Sequence, residues 1–204
     1  MSPKIETDIP RILAKQHQTD EARKALALEH IHHKYPSKKW TRAHTDGSAA
    51  EATKDGGAGI LIKFKAKEEE IAIPTGRYSS NFRAEATALQ EAAKRLAQGR
   101  RKAPKSIVIF TDALFVLEAH KNPRSEDLDH LITALNILCN YNKKVVLQWI
   151  PTHCDIRGNE RVDRLANEGI RMEQTDLHEL LLRRGQINSQ NSLQDQVEKQ
   201  PPRI

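Results

Sequence analysis

Cysteine is scarce in this chain. Cys139 and Cys154 are the only two in 204 residues. That excludes the disulfide framework of small secreted domains and fits a reducing compartment. Long apolar runs are also missing. Stretches such as "VVLQWIP" fall far short of the roughly 20 residues that span a bilayer. The opening "MSPKIETDIPRILAKQ" has charges throughout and no uninterrupted apolar core, so no secretory signal is expected. The expected setting is intracellular, cytoplasm or nucleus, with no membrane. No internal repeat is visible.

What remains suits a globular protein with polar flanks: 38% hydrophobic and 29% charged residues, enough chain for one domain with a core plus extensions. The net charge of +6 admits an anionic partner, although basicity for solubility alone accounts for it equally.

Three zones follow. Residues 1–39 are a charged extension or connector. They hold one helical stretch, "DEARKALALEHIHHKY", stopped by Pro36. Residues 40–172 alternate strand and helix patterns. Residues 173–204 form a tail with a short helix around "LHELLLRR", then a Gln/Asn/Ser-rich stretch expected to be disordered. In the middle zone, "RAHTDGSA" reads as a strand ending in a glycine turn. "GAGILIKFKA" and "EEIAIPT" read as its antiparallel neighbours.

"SSNFRAEATALQEAAKRLAQG" predicts a helix with Phe82, Ala86, Leu89, Ala93 and Leu96 as its apolar stripe. Ser80 or Asn81 caps its start and Gly99 its end. "KSIVIFTDA" and "KKVVLQWIP" are buried-strand candidates. "SEDLDHLITALNILCNY" and "GNERVDRLANEGI" are helices. Strands grouped early, then alternating with helices, predict an α/β fold: a mixed sheet flanked by helices.

Four acids stand out against this frame. Asp46 precedes Gly47 in the first strand of the domain, and Asp112 follows "IVIFT". Glu85 and Asp163 sit at the margins of helical apolar stripes. Each has an ordinary explanation: solvated helix surface for Glu85 and Asp163, turn chemistry for Asp46, helix capping for Asp112. Ligands gather beyond the carboxyl ends of strands in α/β sheets, and there the four could meet. Gathered carboxylates repel unless a cation neutralises them, and an all-oxygen set suits magnesium or manganese. Two such ions about 4 Å apart can clamp a phosphodiester.

The pieces "TDGSA", "SSNFRAEATAL", "IFTDA" and "WIPTHCDIRGNERVDRLANEG" resemble type 1 ribonuclease H, most closely the domains that follow reverse transcriptases in non-LTR retrotransposons. The resemblance implies a sheet of five strands, three antiparallel and then two parallel. It implies hydrolysis of the RNA strand of RNA–DNA hybrids, leaving a 3′-hydroxyl and a 5′-phosphate. It implies two ions, Mg2+ or Mn2+. Asp46 would bridge them, Glu85 and Asp112 would hold one with it, and Asp163 the other. His153 would be a mobile histidine assisting proton transfer or product release. Gly47, Ser80, Asn81 and Asn159 would contact the hybrid. A reverse transcriptase of a parent polyprotein would be a partner, with residues 1–39 left from a connector.

Two departures qualify the match. Ala113 and Leu114 stand where relatives carry serine and a polar residue, so altered or slower cleavage is expected. The extra basic helix of some relatives is absent. "KRLAQGRRKAPK", with Arg100, Arg101 and Lys102, is a candidate replacement for gripping phosphates, balanced by its reading as a solvated helix end. "HIHHK" reads as polar linker, and Cys154 as an inert neighbour of His153. A catalytically weakened hybrid- or protein-binding module and a DNA-acting nuclease remain the alternatives.

Overall fold

The sheet is built from its most apolar strands outward. The structure is a computed structural model describing residues 2–50, 55–98, 105–120, 126–141 and 144–174. Strand β5 (Ser106–Thr111) carries Ile107, Val108, Ile109 and Phe110, all fully buried. A continuous apolar run of this kind belongs to a strand covered on both faces. Strand β2 (Thr41–Ala49) pairs parallel with it, and β6 (Lys144–Trp149) lies parallel on its other side. On the far edge, β3 (Gly56–Lys63) and β4 (Glu68–Gly76) continue antiparallel from β2.

These are the five strands and directions expected. A sixth strand joins them. Lys4–Glu6 forms β1, parallel to β6, so the order is β1-β6-β5-β2-β3-β4. The expectation of five strands is corrected on this point. "KIE" is too short to show a period-2 pattern, and pairing with a free sheet edge makes it a strand.

Helix α1 (Asp20–Lys34) follows β1, with the Thr19 hydroxyl accepting from the Ala22 amide at its start. Helix α2 (Asn81–Ala97) is capped by Ser80, whose hydroxyl accepts from the Arg83 amide at 3.1 Å. A short helix, α3 (Leu114–Ala119), comes after β5, with Ala113 rather than Asp112 at its N-cap; its Val116 and Leu117 are buried. Helices α4 (Glu126–Tyr141) and α5 (Arg157–Arg171) complete the layers.

One face of the sheet packs Ile107, Ile109, Val145 and Leu147 against α2, α3 and α4. On the other face, Val108, Phe110 and Val146 meet Ala27, Ile31 and Tyr35 of α1 and its C-terminal end. There Leu61 meets Val162 and Leu165 of α5. Buried Gln148 ties the N-terminal segment to this second face. Its Oε1 accepts from the Tyr35 hydroxyl at 2.8 Å, and its Nε2 donates to the Asp8 carbonyl at 3.1 Å.

Two close approaches aim the helices. Gly47 is no turn residue: β2 runs through it to Ala49, and it pairs with Ala58. A Cβ there would collide with the backbone of Ala84 and Glu85, so glycine lets α2 lie against the strand. Gly57 and Gly59 of β3 do the same for α5, whose carbonyls at Val162 and Ala166 occupy the space side chains would need.

Candidate active site

Both ends of the Asp46–Asp112 pair are fixed by the parallel ladder. Ala43 pairs with Ile109 and His44 with Phe110, so Asp46 and Asp112 leave adjacent strands in the same direction. The Gly47 contact sets Glu85 beside them. As a result, carboxylate oxygens of Asp46, Glu85 and Asp112 all lie within 4.8 Å of one another. Among the described residues this is the one such group of potential metal ligands.

The cluster is largely buried, with Asp46 and Glu85 only 8% and 6% exposed. Burial and mutual repulsion push their protonation upward. For Asp46, burial leads, then the charges of Asp112 and Asp163, and its pKa rises to about 8. Glu85 is pushed well above the usual carboxylate range by burial, then by Asp46 and Asp112. The Gly47 backbone amide draws both back down. Asp112 is raised by burial, against the hydrogen bond from Asn159 and the charge of His153.

This donor set fits a hard divalent cation. The oxygens converge, Glu85 Oε2 is buried without a hydrogen-bond partner, and the charge is uncompensated. An unpaired buried carboxylate oxygen is costly, and a cation would relieve it.

The other expected residues take varied places. Asp163 projects from α5 and is exposed. It lies outside the tight trio, but its charge reaches both Asp46 and Asp112. His153 is exposed on the loop before α5, with φ of 51°. That left-handed conformation is uncommon for a residue with a Cβ. Asn159 is buried and donates from Nδ2 to Asp112 Oδ2 at 3.1 Å, while its Oδ1 has no partner.

Asn81 accepts from the Ala49 amide at 3.0 Å. With the Ser80 cap, it joins the end of β2 to the start of α2. Ala113 is buried and brings no hydroxyl to Asp112. Arg100, Arg101 and Lys102 lie outside the described residues, as do Gly99 and the tail from residue 175. Of the same basic stretch, Lys94 pairs with Glu91 at 2.6 Å and Arg95 with Glu69 at 2.8 Å.

The remaining candidates have structural partners. His30 lies on α1 at 3.2 Å from the Gln148 amide oxygen. Cys154 is buried, and burial raises its thiol pKa, which disfavours the nucleophilic thiolate. Sequence reasoning missed His44. It is buried against Phe110, with ring centroids 4.9 Å apart, and burial holds its pKa down at about 3. A Cβ on Gly158 would meet its ring; neutral His44 is thus the floor on which α5 begins. The strand alternation that points it away from α2 was the available signal.

The fold and the acid cluster together define an α/β protein with a candidate divalent-cation pocket at the carboxyl ends of its central strands. The RNase H family profile matches residues 38–171, and the chain belongs to that family. It is similar to the crystal structure of RNase H1 from the halophilic archaeon Halobacterium salinarum NRC-1, with a TM-score of 0.52 and 21% identity, over 64% of this chain and 97% of that one. It is similar to the N-terminal RNase H domain of a Mycobacterium tuberculosis protein, with a TM-score of 0.51 and 21% identity, over 64% of this chain and 93% of that one. These likenesses agree with the fold. No helix among the described residues is long and apolar enough to cross a membrane.

Proposed function

We propose that the protein is a metal-dependent endoribonuclease that hydrolyses the RNA strand of RNA–DNA hybrids. The observation that carries this reading is the convergence of Asp46, Glu85 and Asp112 in a chain of the RNase H family. Asp46, Glu85 and Asp112 would hold one Mg2+ or Mn2+, and Asp46 with Asp163 a second. When bound, such ions lower the pKa of water and neutralise charge on a phosphodiester.

The chain's own groups do the rest. The Asn159 amide donates to one oxygen of Asp112 and so fixes the carboxylate. The Gly47 amide keeps Asp46 and Glu85 closer to ionisation than burial alone would allow. Asp163, exposed on α5, adds its charge to the edge of the cluster. His153 stands at the rim, where it can take up or deliver a proton as the phosphorus–O3′ bond breaks and the 5′-phosphate product departs. Gly47, Ser80 and Asn81 lie where β2 ends and α2 begins, a position for reading 2′-hydroxyls or phosphates. Arg100, Arg101 and Lys102 would add phosphate contacts.

The motif resemblance supports a retroelement origin, with a reverse transcriptase of the parent polyprotein as partner and work in the cytoplasm or nucleus. Residues 40–172 would be the catalytic domain, 1–39 an extension and 173–204 a tail.

Labelled hybrid, duplex DNA and duplex RNA, each with magnesium or with EDTA, test the reading. Cutting confined to the hybrid, sensitive to EDTA and lost in Asp112→Asn is expected. Hybrid binding without cutting would favour a weakened binding module, for which buried Ala113 beside Asp112 is the one favourable observation. Cutting of DNA would favour a DNA-acting nuclease.

A further inference from the structure

The loop that carries His153 is held by residues from far away in the chain. Thr152–Asp155 leaves β6 and contains two non-glycine residues in the left-handed region, His153 at φ 51° and Asp155 at φ 55°. Such conformations persist where surrounding structure over-determines them. The surrounding structure here is α1. Cys154 and Ile156 are buried in the same cluster as Ala27, Ile31 and Tyr35. Between them, Asp155 Oδ2 accepts from Lys24 Nζ at 2.6 Å. The Cys154 thiol, 3.9 Å from Asp20 Oδ1, also donates to the Thr152 carbonyl at 3.2 Å. Two inward residues and one ion pair therefore pin the chain on the C-terminal side of His153.

Helix α1 lies wholly ahead of residue 38, where the family match begins. The matched span thus supplies the histidine and the carboxylates, while a segment outside it supplies the seat of the histidine loop. Asp suits its place: it tolerates the left-handed conformation better than most residues and carries the charge that Lys24 meets.

We propose that Lys24 of α1, through Asp155, is a positioning residue for His153 and holds the loop at the carboxylate pocket. This rests on the hybrid-nuclease reading for what His153 does, but not for the hold itself. The pair is partly solvated, with side-chain exposures of 34% and 82%, so the effect is modest. The isolated ion pair is expected to shift turnover about fivefold.

The test combines kinetics with amide hydrogen exchange on the full chain. Lys24→Met is expected to keep the melting temperature, speed exchange at residues 152–156 and lower kcat about fivefold with KM unchanged. Lys24→Arg restores both, and Asp155→Asn, which keeps the left-handed preference without the charge, reproduces the Lys24→Met result. Lys24→Met combined with His153→Ala is no slower than His153→Ala alone, because the two act through one group. Unchanged exchange at 152–156 in Lys24→Met, or losses that multiply in the double variant, would overturn the proposal. A wild-type protein that leaves hybrid uncut would sink the nuclease reading, while the exchange result still decides whether Lys24 holds the loop.

Discussion

Glu85 and Asp163 both act on the Asp46 carboxylate from helices, yet they sit in opposite surroundings. Glu85 is 6% exposed, on a helix pressed against β2 at Gly47. Asp163 is open to solvent on a helix pressed against β3 at Gly57 and Gly59. The same device, a glycine that lets a helix approach a strand, delivers one acid into the interior and another to the rim. The difference lies in what surrounds the carboxylate. The buried acids are pushed towards protonation by desolvation and by one another, which makes full ionisation of the interior trio unfavourable at neutral pH. The rim acid stands in solvent. The pocket therefore divides into a buried half whose ionisation works against burial and an exposed acid at its edge.

The largest effect expected from breaking this contrast is on the buried side. Asp46→Asn should lower hybrid cleavage by about a thousandfold or more, the loss of several kcal/mol of charge stabilisation. It should also raise the melting temperature in EDTA at pH 8 by roughly 4 °C, as about 1–2 kcal/mol gives in a domain of this size. Calorimetry and a hybrid-cleavage assay check both halves. Asp163→Asn sharpens the contrast. Cleavage should fall about a hundredfold, while stability stays within about 0.5 kcal/mol of wild type, as for a solvated position.

Gly47→Ala tests the approach of α2 directly. The added methyl meets backbone rather than a movable side chain, so a destabilisation of about 2–3 kcal/mol is expected by denaturant unfolding, together with weaker cation binding. The pH dependence reads the same burial through titration. The folded-state pKa of Asp46 lies near 8, above its unfolded value of about 3.9. The folded state then holds the proton more tightly, so stability is greatest below about pH 4 for this group and declines as pH rises towards 8. Thermal melts in EDTA between pH 5 and 8 should fall by more for wild type than for Asp46→Asn, and added magnesium should flatten the difference.

Much of this arrangement is legible in the sequence, for reasons that differ by element. β5 reads clearly because a strand buried on both faces must be apolar throughout, and α2 because its stripe recurs at helical spacing. Asp46 and Asp112 read as candidates because polar residues interrupt or follow such strands. β1 is illegible because three residues carry no period; it exists by pairing with β6. The role of Gly47 is misread because Asp-Gly usually marks a turn, and only the packing of α2 shows why the strand continues. The depth of Glu85 against the exposure of Asp163 is also hidden, since both occupy stripe margins and tertiary packing alone separates them. Lys24 and Asp155 are 131 residues apart, and no local pattern joins them.

Calorimetric titration of the protein with Mn2+ or Mg2+ at pH 7, in two buffers of different ionisation heat, for wild type and Asp46→Asn, tests whether the buried carboxylates hold a cation. Saturable cation binding to wild type with net proton release is expected, because the buried carboxyls give up protons to the metal, and that binding is lost in Asp46→Asn. Binding that is absent in wild type, or unchanged in affinity and proton release when Asp46 is replaced, would contradict it.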